Sequence, residues 1–349
     1  MAGSGTAHMR TTTDVVLSVR DLVVEFRVGQ GRVVKAVSGV SFDVCKGETL
    51  AIVGESGCGK TTLGKAVLQL PPPKSGEVVF EGTDLTQLPK ENLRSARTSM
   101  QMIFQDPISS LDPRMTVSRL IEEPLEIWDR GNQQERAERI NTLLNNVGLE
   151  PELVLSRRSY EFSGGQCQRI SIARALALDP RMLICDEPVS ALDVSIQAQI
   201  LNLLQDMKDR YGLTMIFISH DLAVVKAVSN RVMVMYLGKV CEVAPPDVLY
   251  AKPAHHYTKA LLDSVPIPDP TRQATGAPVQ RGQGAQHSAV LPGPAVGVGA
   301  RCKNAAPDPD YARTLAVSRH PQCDGLPTGR HGRGRCECRS LRRRRHRSG

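Results

Sequence analysis

The amino-acid sequence predicts an α/β fold: a parallel sheet covered on both faces, preceded by antiparallel strands and interrupted by a helical insertion. Three observations carry this. Short apolar runs alternate with helical patterns, the signature of a sheet buried on both sides. Four such runs, at 50–53, 100–104, 182–185 and 215–218, each end in polar residues. One of them leads into a glycine-rich stretch, Gly54-Glu55-Ser56-Gly57-Cys58-Gly59-Lys60-Thr61, and a helix-like stretch over 62–70 leaves it.

The elements follow in order. Residues 15–45 alternate apolar and polar side chains, as in Val23-Val24-Glu25-Phe26 and Val40-Ser41-Phe42-Asp43-Val44, which predicts antiparallel strands. Gly29-Gln30-Gly31 marks a turn between them. Pro71-Pro72-Pro73 is expected to stop the helix after the glycine-rich stretch. Val78-Val79-Phe80 reads as a strand and Glu81-Gly82 as a turn. Between Gln105 and Phe162 strand signals are few. Ala137, Ile140, Leu143, Leu144 and Val147 recur near the 3.6 period, so a helical subdomain is expected at about 106–165. The α/β domain is expected over 14–250. A segment at 251–270 follows, and 271–349, rich in Pro, Gly and then Arg, reads as a poorly ordered tail.

Composition narrows the class. The chain has 349 residues and a formal net charge of +8. Residues 251–349 hold 17 Lys/Arg against 6 Asp/Glu, so residues 1–250 carry −3. The basic balance belongs to the tail, and no nucleic-acid partner is expected for the core. No apolar run approaches the ~20 residues of a membrane span, and no signal peptide is visible, so a cytosolic protein is expected. The nine cysteines, an odd number, are expected to be reduced thiols.

The glycine-rich stretch matches G-x-x-x-x-G-K-T, a phosphate-binding loop, in the strand–loop–helix setting that motif needs. Its glycines allow the backbone to turn N–H groups around anionic oxygens at a helix start. Lys60 would place its ammonium on the β- and γ-phosphates, and Thr61 would give its hydroxyl to Mg²⁺. Ligands of such sheets bind at the carboxyl ends of the strands. Gln105, Asp186, Glu187 and His220, each just after an apolar run, are therefore expected to converge on one nucleotide. Asp186 suits a Mg²⁺ contact, and Glu187 can polarise an attacking water. Without the loop, two acids at a strand end would as easily be solvated and idle. Ser163-Gly164-Gly165-Gln166 precedes an amphipathic stretch at 170–178. It is either an ordinary helix cap or a second anion-binding helix start. One nucleotide rarely needs two such sites from one chain, so a second copy or a homologue would supply one of them.

Taken together, GESGCGKTT (54–62), Gln105, FSGGQ (162–166), MLICDEP (182–188), SALD (190–193) and His220 resemble, in this order, an ABC-transporter ATPase over about residues 14–265. The resemblance implies a RecA-like P-loop NTPase core with an antiparallel β subdomain and an inserted helical subdomain, using ATP and Mg²⁺. It implies that Gly54 to Thr62 hold the phosphates, with Thr61, Gln105 and Asp186 at the metal. Glu187 would be the general base, Gln105 the link from Mg²⁺ and water to the helical subdomain, and His220 a γ-phosphate contact. Phe26 is the candidate adenine platform, with a buried strand Phe as the plainer reading. Asp193 would lie at a dimer interface, and Ser163, Gly164, Gly165 and Gln166 would meet ATP held by a second ATPase subunit. QMIFQDPISSLDPRMTV (101–117), EPVSALDVSIQAQILNLL (187–204) and PAHHYTKALLDSVPIPDP (253–270) resemble the oligopeptide/dipeptide importer ATPases, a pattern nickel importers share. Two transmembrane permease subunits and an extracytoplasmic peptide-binding protein are implied partners, with the chain peripheral at the cytoplasmic face of the cell membrane. A soluble ABC ATPase is the rival class, but the single phosphate loop and the absence of a heptad run speak against it. Cys167 and Ser159-Tyr160 depart from the family pattern around SGGQ. Relatives can hold an iron–sulfur cluster near the C-terminus. The uneven spacing of Cys302, Cys323, Cys336 and Cys338 favours free thiols instead.

Overall fold

A computed structural model describes residue 6 and residues 8–10, 12–28 and 32–264. Strands β1 (Val15–Val28) and β2 (Arg32–Cys45) pair antiparallel. β1 turns Leu17 and Val19 inward, and then Leu22 and Val24, the alternation being reset by an irregularity at Asp21 (φ 46°). The turn expected at 29–31 lies outside the described residues. β3 (Thr49–Val53) is buried throughout, and α1 (Lys60–Val67) follows. This helix ends well before Pro71, so the prolines are not what stops it. Gln69 is left-handed (φ 57°). Arg97 satisfies the open end, donating from Nε to Leu68 O (2.9 Å) and from Nη2 to Gln69 O (3.0 Å).

β4 (Ser75–Phe80) and β5 (Thr83–Asp84) form a hairpin. Its two loop residues, Glu81 (φ 48°) and Gly82 (φ 79°), are both left-handed, as a two-residue hairpin turn demands. Helix α2 (Lys90–Ala96) leads through a 3₁₀ turn (Arg97–Ser99) into β6 (Met100–Ile103). Helical elements then run without a strand: α3 (Pro107–Ser110), α4 (Val117–Ile127), α5 (Gln133–Asn146), α6 (Pro151–Val154) and α7 (Gly164–Leu176). The expected amphipathic helix is α5. It starts at a capping box of Asn132 and Glu135 and buries Ile140, Leu143 and Leu144. The remaining elements are β7 (Met182–Asp186), α8 (Val194–Tyr211), β8 (Thr214–Ile218), α9 (Leu222–Val228), β9 (Arg231–Tyr236), β10 (Lys239–Ala244), α10 (Pro246–Ala251) and α11 (His256–Asp263).

Two sheets result. The antiparallel one has the order β2-β1-β4-β5, and the other β10-β9-β3-β8-β7-β6. All neighbours in the second are parallel except the β9–β10 pair. The sequence predicted four of the parallel strands and missed β9. The apolar runs are continuous because alternate residues feed two different cores. Leu50, Ile52, Ile184, Ile216 and Ile218 pack with α1 and the antiparallel strands, through Leu63, Phe42 and Val78. Ala51, Val53, Leu183, Cys185, Met215 and Phe217 pack with α4, α5, α7 and α8. With both faces covered, only the strand ends remain to hold polar chemistry, and in a parallel sheet the carboxyl ends share one edge. Among the described residues no helix is long and apolar enough to cross a membrane.

Candidate functional site

β3 runs into the glycine-rich loop, and the loop into α1. Two glycines are fixed by how closely this loop passes its neighbours. Gly54 has φ 152°, and a Cβ there would lie 2.2 Å from Met235 O. Gly59 has φ 103°, and its Cβ would lie 2.2 Å from Ala36 O. Backbone cannot yield as a flexible side chain can, so both positions exclude a side chain. Lys60 opens α1 only 4% exposed. Its Nζ donates to Gly54 O (2.8 Å) and Glu55 O (2.9 Å).

The other strand ends close over this loop. Thr61 Oγ1 donates to Asp186 Oδ1 at 2.8 Å, tying α1 to the end of β7. Gln105, just beyond β6, donates from Nε2 to Glu187 Oε2 at 3.1 Å. His220, just beyond β8, places Nδ1 3.1 Å from the same oxygen. Two residues from two other strand ends therefore meet on the Glu187 carboxylate. Glu187 itself is left-handed (φ 46°), and its N–H donates to Ile218 O at 2.9 Å. A cavity of about 440 Å³ opens between these groups. Ala36, Ser56, Gly57, Gly59, Lys60, Thr61, Thr62, Gln105, Glu187 and His220 line it.

The electrostatics suit an anion with a divalent cation. Among the described residues no carboxylate forms an ion pair with Lys60, so the buried ammonium hydrogen-bonds only to carbonyls, with Asp186 acting on it from beyond contact distance. Burial raises the Asp186 carboxyl, and neighbouring Glu187 adds to that; Thr61, Lys65 and Lys60 pull the other way. A cation beside Asp186 would relieve that desolvation. Among the described residues no three His, Cys, Asp or Glu side chains cluster as a metal cage. Mg²⁺ needs none, since it is held by one or two carboxylates together with substrate phosphates and water. Cys58 is 4% exposed, and burial raises its thiol pKa, so it is not an activated nucleophile.

Several expected site residues do not line the cavity itself, Gly54 and Asp186 beside it among them. Phe26, on β1 and 41% exposed, is not among the residues lining the cavity. Nor are Glu55 and Cys58: Glu55 donates its N–H to Tyr257 Oη, and Cys58 O accepts from Gly238. Ser163, Gly164, Gly165, Gln166 and Asp193 also stand apart from it. Ser163 caps α7 in a capping box: its Oγ accepts from Gln166 N (3.4 Å), and Gln166 Oε1 accepts from Ser163 N (3.1 Å). The glycines here have a packing reason the sequence did not suggest. A Cβ on Gly165 would lie 2.7 Å from Ile196 Cγ2, and one on Gly164 3.3 Å from Leu192 Cδ2. Asp193 precedes α8 but makes no side-chain cap. Cys167 fits its buried place as a small apolar group, its Sγ 3.3 Å from Ser159 O. Ala36 and Tyr257 were missed. Ala36 carries no sequence signal, whereas Tyr257 sits in the stretch 253–270 that the importer resemblance marks. The four C-terminal cysteines lie outside the described residues.

Comparison with known proteins agrees with this geometry. A family described as "ABC transporter" matches residues 37–190, and one described as "Oligopeptide/dipeptide transporter, C-terminal region" matches residues 241–293. A probable peptide ABC transporter ATP-binding protein of Sinorhizobium fredii is 50% identical over 274 residues, 77% of each chain. The oligopeptide transport ATP-binding protein OppF of Escherichia coli is 46% identical over 303 residues, 84% of this chain and 90% of that one. Among solved structures, the ATP-binding cassette MJ0796, a dimer in a post-hydrolysis state with ADP and Pi, superposes with a TM-score of 0.61. It is 28% identical and covers 66% of this chain and 98% of its own.

Proposed function

Because this chain belongs to the ABC transporter family of ATP-binding proteins, we propose that it is the ATP-hydrolysing subunit of an importer that carries oligopeptides or dipeptides across the cytoplasmic membrane. Two membrane-spanning permease subunits and a second ATPase subunit would complete the machine, with the chain on the cytoplasmic face. An extracytoplasmic peptide-binding protein would deliver the cargo. The names of the relatives and the match over 241–293 support the peptide class.

The observation that carries the reading is the convergence of Gln105, Glu187 and His220 above Lys60 and Thr61. Lys60 and the N–H groups at the start of α1 would hold the phosphates of ATP. Mg²⁺, bound with the nucleotide, would be held by Thr61 and Asp186 with Gln105 nearby, and would neutralise phosphate charge. Gln105 and His220 both address Oε2 of Glu187. Among the described residues no hydrogen-bond donor meets Oε1, which would take the proton of the attacking water. ADP and inorganic phosphate then leave. Ser163, Gly164, Gly165 and Gln166 would act on ATP held by the second ATPase subunit, with Asp193 at the interface, which accounts for their distance from this chain's own cavity. Phe26 stays the candidate for the adenine ring.

Lys60→Ala tests the reading. It removes the one ammonium inside the loop, so MgATP affinity measured by calorimetry should fall at least tenfold, as for loss of a charge-assisted contact of about 1.5–3 kcal/mol. Unchanged affinity would contradict the assignment.

A further inference from the structure

Helix α11 reaches the phosphate-binding loop through the phenol of Tyr257. Tyr257 Oη accepts the Glu55 N–H at 3.0 Å, a contact between residues 202 positions apart. The carbonyl of the same peptide unit, Gly54 O, accepts Lys60 Nζ at 2.8 Å. The Gly54–Glu55 peptide is thus held from both sides, by the lysine of the loop and by a tyrosine from the end of the described chain. The phenol is itself held firmly. Its ring lies 4.3 Å, centroid to centroid, from that of Tyr236 at the end of β9. Tyr257 N donates to His255 Nδ1, which caps α11, and the backbone N–H groups of Ala254 and His255 donate to the Glu242 carboxylate on β10. Burial pushes the Tyr257 phenol up to about 12, so it stays neutral and its oxygen remains free to accept.

The hydrogen bond to Glu55 lies at the exposed surface, where water could replace it at little cost in stability. Its geometric effect falls instead on the peptide that carries Lys60.

We propose that Tyr257 is a positioning residue for nucleotide binding: through the Glu55 N–H it sets the peptide plane on which Lys60 rests, and it couples the docking of residues 253–264 to occupancy of the nucleotide site. The proposal rests on the ATP reading above. Coupling of this kind is reciprocal. If the docked helix favours nucleotide, nucleotide must tighten the docked helix.

The test uses the full chain and MgATP. Tyr257→Phe removes the hydroxyl and keeps the ring on Tyr236. Calorimetry should show the dissociation constant for MgATP rising about fivefold, the low end of the usual coupling between two sites. In hydrogen–deuterium exchange, MgATP should slow exchange over 253–264 in the wild type and have no such effect in Tyr257→Phe. An unchanged dissociation constant overturns the proposal, whatever exchange shows. A raised constant with nucleotide-dependent protection of 253–264 intact also overturns it, because the tyrosine would then act on loop stability without linking the two elements. Failure of the wild-type chain to bind MgATP overturns the ATP reading itself, and this proposal with it.

Discussion

Replacing Glu187 by Gln should lower the turnover of the assembled ATPase by roughly 10²–10⁴-fold, the usual contribution of a positioned general base, while MgATP binding persists. The amide keeps the shape of the side chain but cannot take a proton. Gln105 and His220 still flank it, so the pocket keeps its form. Loss of the chemical step with binding retained should trap the ATP-loaded state. Single-turnover hydrolysis and equilibrium nucleotide binding, measured on the same preparation, separate the two quantities. Turnover near the wild-type rate would remove Glu187 as the base.

Ser163→Arg should abolish most hydrolysis in the assembled transporter and leave MgATP binding to the isolated chain unaltered. The isolated chain's cavity does not include Ser163, so its own nucleotide loses no contact. In the assembly, a long side chain would stand where a phosphate must reach the start of α7. Ile196 and Leu192 lie close behind Gly165 and Gly164, so little space opens on that side of the helix start. The capping role of Ser163 predicts a different outcome. The cap is long, at 3.4 Å, and the reciprocal bond from Ser163 N to Gln166 Oε1 uses only backbone at position 163. Losing the cap alone should cost about 1 kcal/mol of stability or less and spare turnover once the chain is folded. Thermal melting, monomer affinity and assembled turnover of the one variant therefore tell the roles apart.

What could be read from the sequence was what local pattern encodes. The four apolar runs ending in Gln105, Asp186, Glu187, His220 and the phosphate loop announced a parallel sheet with a loaded carboxyl edge, because period and punctuation are properties of short windows. The interior sheet strand β9, Arg231–Tyr236, was missed although it too is apolar, since no chemistry-bearing residue follows it. Contacts set by tertiary packing were not legible either. Arg97 closes α1 from about thirty residues away, so the prolines were credited with a stop they do not make. Ala36 limits Gly59, Met235 limits Gly54 and Ile196 limits Gly165, and no spacing rule connects those pairs. The glycine-rich stretches therefore looked built for a ligand alone, when close approach to backbone already requires glycine at 54 and 59, and a crowded Ile196 side chain favours it at 165.

The left-handed backbone at Glu187 has a consequence for anyone improving this protein. A non-glycine residue in that region costs about 1–2 kcal/mol, and glycine would sit there unstrained. A selection that ranks variants only by heat resistance or expression would thus favour Gly at position 187 wherever the relief of strain exceeds the loss of the Gln105 and His220 contacts, and so discard the carboxylate. Robustness and catalysis make opposite demands on this one residue, and a screen for hardier transporters has to count peptide uptake alongside survival.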